Sequence, residues 1–181
     1  MKPLPFISIA LLLLLSYSCN NSKSNTTATQ TPGTTITEPT AKTAPASDLP
    51  AVPCALSLSE ATPKSIEANY TDAVNTDPTK AAFAGRTHEF VTAFRQMIAD
   101  FATYLQKNES FEKKNFTYFN RVYFQANGTI DYYFYHLQPG LLTKDQEAIF
   151  KKSLNEFIKT YKFPMTAKVP FAQCSPVSIE P

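Results

Sequence analysis

From Asn115 to His136 the chain reads Asn-Phe-Thr-Tyr-Phe-Asn-Arg-Val-Tyr-Phe-Gln-Ala-Asn-Gly-Thr-Ile-Asp-Tyr-Tyr-Phe-Tyr-His, two alternating aromatic runs about Asn127-Gly128. Asn-Gly between such runs is the strongest short-range hairpin signal, because both residues accept the positive φ of a tight turn. Two registers compete. A two-residue turn pairs Phe124 with Asp131 and Val122 with Tyr133, which mixes charge into the apolar face. A three-residue loop at Ala126-Asn127-Gly128, with Gly128 left-handed in a bulge, pairs Phe124 with Ile130, Val122 with Tyr132 and Asn120 with Phe134. The second is preferred, and it leaves Arg121, Tyr123, Asp131, Tyr133 and Tyr135 together on the opposite face.

Upstream, Asp77-Pro78 pairs a capping residue with proline at a first helical position. Phe83, Phe90, Val91, Phe94, Met97, Ile98, Phe101 and Leu105 then recur at helical spacing down to Lys107-Asn108, with Gly85 as an interruption. Thr62 and Pro63 head a weaker helical pattern to Val74. Downstream, Thr143-Lys-Asp-Gln146 has the capping-box form. Ile149, Phe150, Leu154, Phe157, Ile158 and Tyr161 mark the buried side of a second helix, stopped by Lys162-Phe163-Pro164. Lys144, Lys151, Lys152 and Lys159 fall mostly off that side, as expected for a solvated surface. A last strand is expected over Lys168 to Ile179, where Pro170 and Pro176 confine it to an edge or make it irregular. The order helix, hairpin, helix, strand predicts a single α+β domain over 51–181, its antiparallel sheet built on the hairpin and packed against two amphipathic helices.

The N-terminus sets the compartment. Met1-Lys2, an apolar stretch from Leu4 to Leu15, and Ser16 and Ser18 flanking Cys19 together resemble a bacterial lipoprotein signal. The stretch is shorter than the roughly 20 residues a membrane-spanning helix needs. The resemblance implies a signal peptide over 1–18, lipidation of Cys19 and cleavage before it. Asn20 at the next position resembles proteins sorted to the outer membrane, with the domain facing the periplasm. Acyl chains contribute about 0.8 kcal/mol per buried methylene, enough in combination for a stable anchor. Residues 19–50 are rich in Thr, Ser and Pro with few large apolar side chains, so they predict a disordered tether. Its reach lies between roughly 30 Å as a coil and about 95 Å extended.

The layout of Val122 to Ile130, the helix around Phe150 and the strand from Phe171 to Ile179 is similar to the periplasmic C-terminal domain of TonB-type energy-transducing proteins. That resemblance implies a shape alone.

The formal charge of +2 offers no footprint for nucleic acid. With Cys19 lipidated, Cys54 and Cys174 form an even pair in an oxidising compartment and predict a disulfide. The long loop it closes would stabilise by roughly 4 to 5 kcal/mol in the chain-entropy model; two separate thiols are the alternative. No zinc spacing surrounds His88 or His136, and with four glycines there is no phosphate loop or nucleophile elbow. Asp131 and Glu147 have no sequence relation that unites them as a carboxylate pair. No cofactor, metal or catalytic activity is expected.

Arg121, Tyr123, Tyr133 and Tyr135 are the candidate binding face, since tyrosine and arginine offer large contact area with a polar tip. The competing reading places another layer of the domain over them. The leading function is a non-catalytic envelope interaction module for a protein partner. Two others stand beside it: a periplasmic carrier holding an apolar or lipid-like ligand in the Phe-rich space between helix and sheet, and a secreted glycoprotein using sequons at Asn20, Asn25, Asn69, Asn108, Asn115 and Asn127.

Overall fold

The hairpin forms where its sequence places it. In the computed structural model, which describes residues 49–180, strand β3 (Phe116–Phe124) and strand β4 (Ile130–His136) flank the Asn127-Gly128 turn. Gly128 has φ +87°, and a Cβ there would collide with the carbonyl of Phe163, so the turn requires glycine twice over. Its carbonyl also accepts from Phe163 N at 2.9 Å, docking the turn on the segment that follows the second helix.

The register combines both competing expectations. Phe124 pairs with Ile130 next to the turn, but Tyr123 pairs with Tyr132, Val122 with Tyr133 and Asn120 with Tyr135. Asp131 is the extra residue of a bulge, and one inserted residue exchanges the faces of everything beyond it. Tyr133 and Tyr135 therefore point to the helices, and Tyr132 and Phe134 take their place beside Arg121 and Tyr123.

Three further strands complete the sheet: β1 (Cys54–Ser57), β2 (Thr71–Asp72) and β5 (Phe171–Ile179), in the order β1-β4-β3-β5-β2. The centre is antiparallel, while both edge strands pair in parallel. This is a single α+β domain, as the element order implies. The expected disulfide is overturned by this strand order. Cys54 lies on β1 and Cys174 on β5, with β4 and β3 between them. Three strand spacings set them about 14 Å apart, against an upper limit near 7 Å for a bridge, and no bond joins them.

Helix α1 (Thr87–Gln106) and helix α2 (Lys144–Thr160) cover one face. The Asp77-Pro78 signal is used, but on a short 3-10 turn: Asp77 accepts from Thr79 N at 3.0 Å. Gly85, at φ +74°, separates that turn from α1. The weaker pattern after Thr62 forms two 3-10 turns rather than a helix, and Thr62 makes no side-chain cap. Thr143 caps α2, accepting from Gln146 N at 3.3 Å. Gln146 completes no capping box; its amide donates to Ser110 O at 2.9 Å and its carbonyl accepts from Glu112 N at 2.7 Å, tying the loop after α1 to α2.

Two aromatic groups make up the helix-side core. Phe171 stacks on Phe124 at 4.8 Å and meets Phe83 and Phe90. Phe150 meets Phe101, Tyr118 and Tyr135 at 5.2 to 5.5 Å. On the opposite face, the crossing from β1 to β2 over residues 58–70 lays Leu58, Ala61, Ile66 and Tyr70 on Tyr123, Tyr132 and Phe134.

Candidate functional site

The tyrosine face anticipated from sequence does not exist as a surface. Tyr133 is 1 % exposed, its ring in the helix-side core. Its hydroxyl lies 2.8 Å from that of Tyr118 and accepts from Asn120 Nδ2 at 2.9 Å, while Ser175 donates to Asn120 Oδ1 at 3.1 Å. Burial pushes the Tyr133 hydroxyl up to about 12, and pushes those of Tyr118 and Tyr135 well above their ordinary value too. Tyr135 is buried against Phe150.

Arg121 and Tyr123 do share the second face, under the 58–70 crossing. Tyr123 is wholly buried, with Tyr70 edge-on at 4.9 Å and the Arg121 guanidinium 5.6 Å from its ring centre. Arg121 pairs with Glu67 at 3.1 Å. Another layer therefore covers this face, and it is the crossing rather than a helix. The bulge residue Asp131 accepts from Tyr70 at 2.5 Å and from the Gln125 amide. Glu147 sits in the first turn of α2, on the other side of the sheet, so the two carboxylates do not meet. His88 and His136 are exposed and apart on α1 and β4. Among the described residues no group of three or more His, Cys, Asp or Glu side chains is placed to hold a metal.

A groove lies elsewhere, at the margin of the Phe-rich layer. It runs between α1 and β5 with a volume of about 540 Å³, within the usual range for small-molecule sites. Phe90, Val91, Phe94, Ile98, Ala99 and Ala102 form one wall, and Pro176 and Val177 the other. Arg95, Thr103, Gln106, Gln173, Ser175, Ser178 and Glu180 supply its polar groups. From Phe90 to Gln106 the helical rise gives it a length of about 24 Å. The groove exists because the buried stripe of α1 (Phe90, Phe94, Met97, Phe101, Leu105) is centred on the core. Val91 and Ile98, one step round the helix, extend past that core and are only partly buried.

The backbone beside the groove is guarded. Ala73 N donates to Ala172 O at 2.7 Å from the β2 side, which sets the even-numbered residues of β5 with their backbone groups away from β3. Pro176 shares that parity, so its missing N–H falls on the outer edge. The carbonyl of Cys174 accepts from Gln173 Nε2 at 2.8 Å, and that of Glu180 from Gln106 Nε2 at 2.6 Å. The opposite edge is closed in the same way: Ala55 N donates to Asn155 Oδ1 at 2.9 Å and Ser57 N to Glu60 at 3.3 Å, with Lys151 holding Glu60 at 2.7 Å. Both edges thus discourage an added strand.

Of the residues singled out in sequence, Phe90, Val91, Phe94, Ile98 and Pro176 border the groove, whereas Arg121, Tyr123, Tyr133 and Tyr135 do not. Arg95, Ala102, Gln173 and Ser175 carried no sequence signal of their own. Cys19, the signal region and the sequons Asn20 and Asn25 lie outside the described residues. Among the described residues no helix is long and apolar enough to cross a membrane. Comparison of the chain with family models, curated proteins and solved structures returns no match.

Proposed function

We propose that this chain is a lipid-anchored envelope protein whose domain is a non-catalytic binding module, and that the groove between α1 and β5 is its binding site. The lipoprotein-like N-terminus supports the anchor, through Cys19, and an outer-membrane location facing the periplasm. The groove carries the binding reading. It is apolar along its middle, and the strand edge beside it is silenced for backbone pairing. An occupant is therefore held by apolar contact, which favours the carrier of an apolar or lipid-like ligand over a module that captures a protein strand.

Two measurements test this. Metabolic labelling with an alkyne-bearing fatty acid should mark the chain and fail in Cys19→Ala; labelling of both, or of neither, contradicts the anchor. Native mass spectrometry of the chain taken from its envelope should show a retained apolar adduct that Ala102→Trp, which fills the groove, removes. Identical spectra for the two proteins contradict the groove as the site.

A further inference from the structure

The charged groups of the groove are set apart: Arg95 stands about a third of the way along the α1 wall, past Phe90, Val91 and Phe94, and Glu180 stands at the far end. Phe90 meets Phe171 at 6.1 Å and Gln106 donates to Glu180 O at 2.6 Å, so α1 and β5 run in the same direction. With rises of about 1.5 Å per helical and 3.3 Å per strand residue, Arg95 falls level with Gln173, about 7 Å from the Phe90–Phe171 contact, and Ser175 lies about 6 Å further along. Arg95 is exposed and makes no ion pair among the described residues. Beyond it, Ile98, Ala99, Ala102 and Val177 give an apolar run that ends about 16 Å further on at Gln106 and the acidic Glu180. A cation thus stands near the Phe90 end, past an apolar mouth, and a carboxylate at the Gln106 end, with apolar surface between them.

Resting on the groove as the binding site, we infer that its ligand is a single-chain anionic amphiphile, with the acid group at Arg95 and the chain laid toward Gln106. Glu180 repels the head from the far end and fixes the orientation. A peptide strand is disfavoured because Pro176 has no N–H to give and the Cys174 and Glu180 carbonyls are taken. The second N–H of Gln173 Nε2, the first being held by Cys174 O, is left to meet a head-group oxygen, whereas the Ser175 proton is spent on Asn120 Oδ1. Ser175 is held there by Asn120, which is fully buried.

The test titrates octanoate, dodecanoate, hexadecanoate and dodecanol into the full chain carrying Cys19→Ser, so that no acyl group of its own competes. Affinity should rise with chain length by up to about fourfold per methylene buried. Arg95→Gln should weaken the carboxylates by up to about fivefold at low salt, the scale of an exposed ion pair, and leave dodecanol unchanged. Arg95→Glu should shift preference to a trimethylammonium amphiphile of equal chain length. Ala102→Trp should abolish all binding while the circular dichroism spectrum stays native. Dodecanol bound as tightly as dodecanoate, with no effect at Arg95 but loss in Ala102→Trp, overturns the anionic head and leaves the groove standing. No amphiphile bound, binding that survives Ala102→Trp, or a dimer that only Ala102→Trp dissociates overturns the inference; the first two also remove the lipid-like reading of the site.

Discussion

Two buried tyrosines on opposite faces of the sheet should respond to the same substitution with opposite sign. The Tyr133 hydroxyl is bonded twice, to Tyr118 at 2.8 Å and Asn120 at 2.9 Å. In Tyr133→Phe both partners are left in a site without water, and an unsatisfied buried polar group costs about 1–3 kcal/mol. Asn120 keeps Ser175 on its other side, so a total loss of about 2–4 kcal/mol is expected. The Tyr123 hydroxyl is buried outside hydrogen-bond geometry, and the Arg121 guanidinium beside its ring acts on it as a nearby charge. Tyr123→Phe keeps the ring under Arg121 and beside Tyr70 while deleting the unmet group, so it should stabilise by about 1 kcal/mol. For a domain of this size each kcal/mol moves the melting point by about 3–5 °C, so the variants should part by roughly 10 °C or more. Urea unfolding of the full chain, followed by far-UV circular dichroism, reads both, with unchanged slope against denaturant. A Tyr123→Phe variant destabilised by more than about 1 kcal/mol would show that its hydroxyl is engaged. A neutral Tyr133→Phe would refute the buried relay and return Tyr133 to the surface.

Gly128→Ala should cost about 3 kcal/mol or more in the same unfolding assay, because a positive φ and the Phe163 carbonyl both exclude a Cβ; a loss below 1 kcal/mol would mean the turn can move. Asn155→Ala removes the acceptor of Ala55 N–H and should destabilise by about 1–2 kcal/mol. It should also raise light scattering, because it uncovers the β1 edge; clear solutions at equal concentration would count against that guard. Alkaline pH should unfold the chain. Burial holds Tyr133 and Tyr161 at about 12 against an ordinary 10.0. Their contribution is therefore complete below pH 10 and is lost as pH rises toward 12. Tyrosinate absorbance should appear together with loss of the circular dichroism signal; full ionisation with the fold intact would contradict the burial.

The hairpin was legible because its signal is local: Asn127-Gly128 and the alternation around it act within a few residues. The bulge at Asp131 was not, since its partners come from elsewhere, Tyr70 from the crossing and Gln125 from the start of the loop. Each candidate register was right over part of the ladder, and a single extra residue decided which tyrosines became core. Helix α1 was legible from its stripe, although the Asp77 cap served a different turn once Gly85 intervened. Strands β1 and β2 span four and two residues and pair with strands far along the chain, so no periodicity announces them. The groove depends on how far α1 overhangs β5. Its one trace in the sequence is the width of the apolar face, where Val91 and Ile98 stand a step outside the buried stripe. The cysteines misled because an even count speaks of compartment and not of strand order.

The most direct measurement is a backbone amide spectrum of the full chain carrying Cys19→Ser, recorded with and without dodecanoate. Shifts confined to α1 from Val91 to Gln106 and to β5 from Gln173 to Glu180, and absent in Ala102→Trp, are the predicted result. Shifts centred instead on Tyr70, Arg121 and Tyr123, or no saturable shifts at all, would contradict the groove as the place where this protein binds.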